Sequence, residues 1–433
     1  MKRRHVALLT LMGNGHLYPV LPLCAELADR GYRVSCPTIS RYASSVQASG
    51  AEAVVFTELP VDAALSAENE ARSRRLTSDP SRLETTDLEW SHMTRSTAYF
   101  LSQVADFYDQ DPPDLVLYNR YVIPGRILAN RYQRPAVQFS PHFAYPGHTR
   151  LWRHGACENP EELVAYSRKL DALLAAYEVR TRDSLWHVER LNVHFIPKEF
   201  QYRADLFDDR FFFSGSLLER PHRSIWRPAA GGMPVVLVSG YSGLADTRLS
   251  NSEYFKLLIG ALADMPCRCV MSIGDTDAKL LGPLPDNIEV NRDASHLEIL
   301  PHTALLVCHG GMGSCLEALY NGVPVLVLPS SPYTEEVAYR VTQLGAGTLL
   351  PRNGLSPEMI RSTVSKMLCD VPLHERANAF RRVFHRSSGA AGIVQRIDRF
   401  VREQEQIGVN DRPESIDLLG AEHVNALAGG ATR

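Results

Sequence analysis

Two glycine-rich turns of the sequence carry histidines that could do chemistry. In the segment GNGHLYPV, His16 follows an apolar run and two glycines. Imidazole has an ordinary pKa near neutrality, so a histidine at the mouth of such a turn can take up and return a proton. The same histidine could instead cap the following helix or bind a backbone carbonyl. Residue type alone therefore leaves proton transfer and capping open.

The second turn, HGGMGS, starts at His309 and leads into a helical pattern from about Ser314. Glycines let a ligand approach the backbone closely, and the amide N–H groups at a helix start bind anions. A turn of this kind after a parallel strand suits a diphosphate, with His309 and Ser314 as hydrogen-bond donors. Glu317, one helical turn later, can accept hydrogen bonds from ribose hydroxyls. Tight packing of the strand against the helix would also explain the glycines.

The elements around these turns alternate between strand and helix. Residues 6–11 form a continuous apolar run, which is typical of a parallel strand buried on both faces. Apolar residues at helical spacing follow over 17–28 and predict a helix. Residues 32–36 are predicted as the next strand. The alternation restarts in the second half, where we predict strands at 235–239, 268–273, 288–290, 305–308 and 325–328. The pattern predicts an α/β protein with two doubly wound domains.

The composition is typical of a soluble globular protein. Its 433 residues suit two domains, with 45% hydrophobic and 22% charged residues. A formal net charge of −3 gives no reason to expect nucleic acid or an anionic membrane as a partner. The eight cysteines show no zinc spacing or disulfide framework, which favours reduced thiols in a cytoplasm. The start MKRRHVALLTLM fits a buried strand better than a secretory signal, and no apolar run approaches the ~20 residues of a membrane helix.

A change in composition marks the predicted domain boundary. The segment LLERPHRSIWRPAAGGMP is rich in Pro, Gly and Arg, which is typical of a linker. We predict an N-terminal domain over 1–218, a linker over 219–233, a C-terminal domain over 234–388, a terminal helix over 389–405 and a tail over 406–433. We expect the terminal helix to pack back on the N-terminal domain.

Two longer segments carry a family resemblance. HGGMGSCLEALYNGVPVLVLP and GHLYPVLPLCAELADRGYRV together resemble the nucleotide-sugar-dependent glycosyltransferases of the GT-B fold. Within that fold, the sequence is most similar to the family of bacterial macrolide and other natural-product glycosyltransferases and UDP-glucuronosyltransferases. The resemblance implies two Rossmann-like domains that face each other across a cleft. It places a nucleotide sugar in the C-terminal domain and an apolar acceptor in the N-terminal domain, without a metal.

The resemblance assigns His16 as the general base that deprotonates the acceptor hydroxyl. In the family an aspartate usually orients this histidine, but the matching residue in PDLVLYN is Asn119. We expect the Asn119 carbonyl oxygen to accept from the imidazole and hold its tautomer. An amide stabilises an imidazolium less well than a carboxylate does, which can cost several orders of magnitude in rate. An acidic acceptor, a substitute carboxylate or weak catalysis would each account for Asn119.

The resemblance also assigns donor-binding residues in both halves. They are Gly15, Ser242, His296, His309, Gly310, Gly311, Met312, Gly313, Ser314, Glu317, Tyr333 and Thr334. The phosphate and ribose positions match the family, whereas the positions that bind the sugar and the base depart from it. Tyr333 and Thr334 replace an acidic residue and a glutamine that grip sugar hydroxyls, and His296 replaces a glutamine near the base. Less polar side chains at the sugar favour a deoxysugar. We expect the donor to be a UDP- or dTDP-sugar, and His296 leaves the identity of the base open.

On the acceptor side the sequence offers aromatic residues in segments that line the acceptor cleft in the family. They are Trp90, Phe100, Phe139, Phe143 and Trp152. Aromatic residues at such spacing are more often plain core.

We predict a metal-independent, inverting glycosyltransferase of hexosyltransferase type. It would move a sugar, with a deoxysugar included, from a nucleoside diphosphate to an apolar natural-product acceptor in natural-product or antibiotic biosynthesis. The nucleotide sugar is a co-substrate, no other cofactor is expected, and the protein would be a monomer or homodimer. C-glycosylation of an electron-rich ring remains a variant of this reading. The alternatives are a non-catalytic homologue that binds a nucleotide or a partner enzyme, and an epimerase on the same fold.

Overall fold

The computed structural model divides the chain into two compact units. The first unit comprises Met1–Trp152, Cys157–Leu217 and Ser388–Arg433, and the second comprises Arg153–Ala156 and Leu218–Ser387. The structure describes residues 3–58, 87–145, 160–180, 184, 186–218, 226–227, 232–240, 251–274, 276–291, 295–351 and 354–407. Most of the predicted linker and of the predicted tail lies outside these residues.

Each unit is built on one sheet. The first contains β1 (His5–Leu9), β2 (Arg33–Thr38), β3 (Glu52–Val55), β4 (Leu115–Asn119), β5 (Ala136–Ser140), β6 (Asn192–His194) and β7 (Phe211–Phe213). The second contains β8 (Val235–Ser239), β9 (Arg268–Ser272), β10 (Ile288–Asn291), β11 (Thr303–Cys308), β12 (Val325–Val327) and β13 (Gly347–Leu349). The strand orders are β3-β2-β1-β4-β5-β6-β7 and β10-β9-β8-β11-β12-β13, with every pair parallel. The predicted pair of doubly wound α/β domains is confirmed.

Helices connect these parallel strands. They are α1 (Asn14–Leu17), α2 (Leu21–Asp29), α3 (Ala43–Ala48), α4 (Asp87–Gln110), α5 (Ile123–Arg131), α6 (Pro160–Ala176), α7 (Asn251–Leu262), α8 (His296–Ile299), α9 (Met312–Tyr320), α10 (Pro332–Gln343), α11 (Pro357–Cys369), α12 (Val371–Arg386) and α13 (Gly389–Ile407). None of the helices within the described residues is long and apolar enough to cross a membrane.

The core of the first unit joins the sheet to α2 and to the last helix, α13. The side chains of β1 are fully buried. One face of α13 is apolar and joins the cluster that includes Leu23 and Leu27 of α2. The α13 side chains in this cluster are Ile393, Val394, Ile397, Phe400 and Val401. A hydrogen bond of 2.5 Å from the Tyr32 hydroxyl to the Asp398 carboxylate adds a polar contact at the edge of this packing.

Both sheets reverse their strand order at one point. In the first sheet the reversal lies between β1 and β4, where Leu9 pairs with Tyr118. In the second it lies between β8 and β11, where Ser239 pairs with Cys308. Ligands of open α/β sheets bind beyond the carboxyl ends of the strands at such a switch point. The two turns that the sequence singles out follow β1 and β11, so each lies at the switch point of its own unit.

Candidate functional site

His16 lies in α1, directly beyond the carboxyl end of β1. The amide N–H groups of His16 and Leu17 both donate to the Gly13 carbonyl, and the Thr10 hydroxyl donates to the His16 carbonyl at 3.2 Å. These bonds hold the backbone of the turn. Both α1 and α2 begin without a side-chain cap, so the imidazole caps neither helix. The capping interpretation of His16 is therefore not supported.

The imidazole of His16 contacts the side chain of Asn119 at the end of β4. Asn119 is fully buried, and its Nδ2 lies 3.2 Å from His16 Nδ1. The other side of the same amide is also engaged, because Asn119 Oδ1 accepts from the backbone N–H of Tyr121 at 3.1 Å. The structure thus brings the two predicted catalytic residues together at the switch point of the first sheet.

The orientation of the Asn119 amide corrects one prediction. We expected its carbonyl oxygen to accept from the imidazole, but that oxygen accepts from Tyr121 and the NH2 group faces His16. Turning the amide over would place its NH2 against the Tyr121 N–H, so that two donors would face each other. A buried donor without a partner costs about 1–3 kcal/mol. The backbone at Tyr121 therefore sets the orientation of the amide.

A second histidine, His142, lies beside His16. It follows β5, and the two rings meet edge to face with centroids 5.2 Å apart. Burial lowers the pKa of His16 to about 4. Burial also holds the pKa of His142 well below its usual range, with further lowering from His16, Arg120 and His194. Both rings are thus neutral at pH 7.

The sequence reading missed His142 and the backbone role of Tyr121. His142 belongs to the segment PAVQFSPHF, and it lies two residues after the strand that neighbours β4. A polar residue just past the carboxyl end of a strand next to the switch point is the signal that could have identified it.

In the second unit, the candidate donor site lies at the first turn of α9. It begins at Met312, two residues earlier than predicted, after an N-cap Gly311 that makes no side-chain cap. A Cβ atom added at the exposed Gly313 would meet no atom within 4 Å. The amide N–H groups of this first turn are therefore not covered by a side-chain cap and can bind an anion. The Met312 side chain is buried, so this residue could contribute only its backbone amide.

Gly310 has a different role from Gly313. Its φ is +93°, and a Cβ atom there would lie 2.7 Å from the Thr334 carbonyl oxygen and 2.8 Å from Val327 Cγ1. Packing and backbone conformation thus require this glycine, whereas Gly313 leaves open space. The packing explanation of the glycines therefore applies at Gly310, and close approach of a ligand stays a prediction for Gly313.

Two predicted donor-binding side chains are in direct contact on the same face of the second unit. The imidazole of His296 in α8 and the carboxylate of Glu317 in α9 are in contact, with 3.3 Å between Nδ1 and Oε2. His309 lies close by, and burial lowers its pKa to about 4, with His296 adding to the effect and a backbone hydrogen bond at Gly240 opposing it. The residues predicted near base, ribose and phosphate therefore form one cluster.

Thr334 has a different role from the predicted one. Its Oγ1 accepts from the N–H groups of Ser330 and Ser331 at 2.9 Å each and donates to the Ser331 carbonyl. This hydroxyl forms part of the capping box of α10 and has no remaining hydrogen-bonding capacity for a sugar. The prediction that Thr334 binds the sugar is corrected. Tyr333 is half-buried in the same first turn.

Two of the predicted acceptor-contacting aromatics belong to the core. Phe139 is 1% exposed and stacks on Phe195, and Phe143 is fully buried and stacks on Phe200. Neither has surface for an acceptor, so these two assignments are corrected. Phe100 is half-buried and packs edge to face on Phe56, with centroids 4.9 Å apart.

Other predicted residues are placed only in part. Gly15 is exposed in α1, and a Cβ atom there would meet nothing within 4 Å. Ser314 is half-buried in the first turn of α9. Ser242 and Trp152 lie outside the described residues, and so does the side chain of Trp90 in α4. Within the described part of the chain no group of three or more His, Cys, Asp or Glu side chains could hold a metal ion.

Comparisons by sequence and by fold both give glycosyltransferases. Residues 256–398 match the family described as erythromycin biosynthesis protein CIII-like, C-terminal domain. The NDP-glycosyltransferase YjiC of Bacillus subtilis is 28% identical over 412 residues, which cover 93% of this chain and 99% of that protein. Demethyllactenocin mycarosyltransferase of Streptomyces fradiae is 28% identical, with 89% and 84% covered. The calicheamicin glycosyltransferase CalG4 is 31% identical with a TM-score of 0.74, covering 93% of this chain and all of its own.

More distant structures share the fold and contain ligands. The glycosyltransferase VinC in complex with dTDP has a TM-score of 0.67 at 19% identity, with 92% of this chain and 100% of that chain covered. The spinosyn rhamnosyltransferase SpnG complexed with spinosyn aglycone has a TM-score of 0.67 at 18% identity, with 91% and 99% covered. Structural neighbours of this chain thus bind a nucleotide and an aglycone.

Proposed function

The chain belongs to the GT-B family of bacterial macrolide and other natural-product glycosyltransferases, and we propose that it transfers a sugar from a nucleoside diphosphate to an apolar small-molecule acceptor with inversion at the anomeric carbon. The observation that carries this proposal is the start of α9 at the switch point of the second sheet. It combines amide groups without a side-chain cap, open space at Gly313 and the His296–Glu317 pair in one place.

The donor end of the reaction rests on electrostatics. As the bond between the anomeric carbon and the diphosphate breaks, negative charge grows on the leaving group. Amide N–H groups fixed at a helix start stabilise that charge without reorganising. We assign this role to the first turn of α9, with Ser314 as a further donor and Glu317 as the acceptor for ribose hydroxyls. No metal is needed for this step.

The side chains available to the sugar favour a donor with few hydroxyls. Thr334 is committed to capping α10, and the adjacent Tyr333 presents an aromatic ring where the family often has an acidic residue. A site with few polar groups loses less when a substrate hydroxyl is missing. We therefore propose a deoxysugar, and the dTDP complex of VinC supports a thymidine diphosphate donor as the first one to test.

On the acceptor end we assign His16 to the reacting oxygen. It lies at the switch point of the first sheet, where a ligand of such a sheet binds. Inversion follows when the acceptor attacks opposite the leaving diphosphate in a single displacement. As a general base His16 would need a lone pair on Nε2. The contact between Nδ1 and the Asn119 NH2 group affects which of the two ring nitrogens has that lone pair.

A thermal-shift panel with UDP, dTDP, GDP and ADP tests the donor site. A nucleotide that binds only the folded protein stabilises it by about 2.7 kcal/mol at a hundred times its dissociation constant. We expect a clear rise in Tm with dTDP or UDP and a smaller rise in Glu317→Gln. Glu375→Gln, which removes the same charge from an exposed position of α12, should respond like the wild type. The absence of a shift with every nucleotide would contradict the proposal.

A further inference from the structure

The Asn119 amide is held from two sides. Its Oδ1 accepts from the backbone N–H of Tyr121 at 3.1 Å, and its Nδ2 lies 3.2 Å from His16 Nδ1. The side chain is fully buried, so water cannot replace either partner. Because an amide NH2 group only donates, the nitrogen that faces it must offer a lone pair.

This contact decides where the His16 ring carries its proton. A neutral imidazole has one N–H group and one lone pair. With the lone pair on Nδ1, the proton is on Nε2. An aspartate in place of Asn119 would accept from Nδ1–H and leave the lone pair on Nε2. Replacing one carboxylate oxygen by an NH2 group therefore changes Nε2 of His16, the ring nitrogen that does not face residue 119, from a hydrogen-bond acceptor into a donor.

From this hydrogen-bond chain we infer that His16 donates an N–H to the acceptor instead of removing its proton, and that the acceptor oxygen is already an anion at neutral pH. The class of acceptor is then a carboxylate, the enol of a β-dicarbonyl group, or a phenol with electron-withdrawing substituents. This inference rests on the proposed function, since it concerns the acceptor of the same reaction.

The reaction balances without a base. The acceptor anion supplies the electron pair for the new bond to the anomeric carbon, and the bond from that carbon to the diphosphate oxygen breaks. The electron pair of the broken bond leaves with the nucleoside diphosphate, which gains the negative charge that the acceptor loses. His16 keeps its Nε2 proton throughout and orients the attacking oxygen by a hydrogen bond.

The surroundings of His16 agree with a neutral donor. Burial lowers its pKa to about 4. The neighbouring ring is His142, whose own pKa is lowered by burial and by the positive charge of Arg120. Among the described residues, Asn119 is the one hydrogen-bond partner of the His16 ring, and no carboxylate forms an ion pair with it. An imidazolium formed by proton removal from an alcohol would thus lack a counter-charge.

Nitrogen-15 NMR of histidine-labelled protein tests the inference directly. The nitrogen shifts distinguish a protonated from an unprotonated ring nitrogen, and His16→Gln identifies the His16 signals among the 15 histidines. We expect Nε2 to be protonated and Nδ1 unprotonated at pH 7 in the wild type. In Asn119→Asp we expect the proton on Nδ1 and a His16 pKa raised by about 1–3. Asn130→Asp is the matched control, because it makes the same change where the amide donates to the Glu178 carbonyl, and it should leave the His16 signals unchanged.

The wild-type spectrum decides the inference even when Asn119→Asp fails to fold. A protonated Nδ1 in the wild type would overturn the inference and leave the proposed glycosyl transfer standing. A protonated Nε2 in a protein that transfers sugar equally fast to an acidic phenol and to an alcohol would also overturn it. The absence of nucleotide binding would instead contradict the proposed function and leave the tautomer as measured.

Discussion

The site at His16 and the site at the start of α9 occupy equivalent places in two similar sheets, yet they are built differently. The α9 site is made mainly of backbone: amide N–H groups, a glycine that packing requires and a glycine that leaves space. The His16 site depends on side chains, and the identity of one of them, Asn119, sets the hydrogen bonding of the imidazole. A backbone site keeps its chemistry through sequence change, whereas a side-chain site can change its chemistry with one residue.

The largest effect is expected when the side-chain site is converted to the family form. In Asn119→Asp the carboxylate can accept from both His16 Nδ1–H and Tyr121 N–H, which frees the Nε2 lone pair. A general base typically contributes about 10²–10⁴ in rate. We expect kcat/KM for an alcohol acceptor to rise by about this factor, with the KM of the nucleotide sugar unchanged. Initial rates with an alcohol and an acidic phenol of similar shape provide the measurement.

The contrast between acceptors is the control for this prediction. An acidic phenol needs no base, so its kcat/KM should change by less than about tenfold in the same variant. Asn130→Asp should change neither rate. Equal gains for alcohol and phenol would show that Asn119→Asp acts by repacking the site and not through the His16 tautomer.

A large loss of stability is expected when the required glycine of the backbone site is changed. Gly310→Ala puts a Cβ atom against Thr334 and Val327 at a φ of +93°. Strain from a left-handed conformation costs about 1–3 kcal/mol, and overpacking adds about 1–3 kcal/mol. We expect the free energy of unfolding of the second unit to fall by about 3 kcal/mol, as followed by urea denaturation.

Gly313→Ala is the matched variant for the same turn. Its Cβ atom meets nothing in the structure, and Ala favours a helix over Gly by about 1 kcal/mol. Stability should therefore be kept or rise slightly, while nucleotide binding weakens because the methyl group occupies the space assigned to the diphosphate. Unchanged nucleotide affinity in Gly313→Ala would place the diphosphate elsewhere.

Acid should destabilise the first unit more than the second. Burial lowers the pKa of His5, His16 and His194 to about 4, against one such histidine, His309, in the described part of the second unit. As pH falls from 6.5 towards 4, the unfolded chain binds protons that the folded chain does not. Each such group then lowers the free energy of unfolding by up to about 1.4 kcal/mol per pH unit.

Hydrogen exchange at pH 7 and pH 5 separates the two units. Peptides from β1 and β4 should lose more protection on acidification than peptides from β8 and β11. An equal loss of protection in both units would contradict this assignment of the buried histidines.

The smallest effect is expected at the α10 cap. Thr334→Val leaves the N–H groups of Ser330 and Ser331 without their acceptor, at a cost of about 1–2 kcal/mol. Thr334→Ser keeps the hydroxyl and should cost less. Chemical denaturation measures both, and neither should alter the relative rates with different donor sugars. A changed sugar preference in Thr334→Ser would restore the predicted role in sugar binding.

Much of the fold could be predicted from the pattern of apolar residues in the sequence. The strands predicted for the second half are present as β8 to β12, with bounds within two residues of the prediction, because buried parallel strands form continuous apolar runs. Strand β13, which is only three residues long, is absent from the predicted strands. A Cβ atom at Gly347 would lie 2.2 Å from the Val325 carbonyl oxygen, so close approach to β12 explains the glycine.

Some features of the candidate site could likewise be predicted from the sequence, and others could not. The meeting of His16 with Asn119 could be expected from the family resemblance, which also assigns His296 and Glu317 to the same donor site. The direction of the Asn119 amide could not, because it depends on a backbone N–H two residues further on. The roles of Thr334 and Phe139 were also hidden, since a capping hydroxyl and a core ring have the same residue types as ligand contacts.

One incubation tests the central claim most directly. The protein is mixed with dTDP- and UDP-sugars and with 4-hydroxy-3-nitrobenzyl alcohol, which carries an acidic phenol and an alcohol on one ring. Mass spectrometry and NMR then give the amount of nucleoside diphosphate and the position and anomeric configuration of the new bond. The account predicts one nucleoside diphosphate per glycoside, with the sugar on the phenol oxygen and inverted. A glycoside on the alcohol oxygen, or no glycoside with any donor, would contradict it.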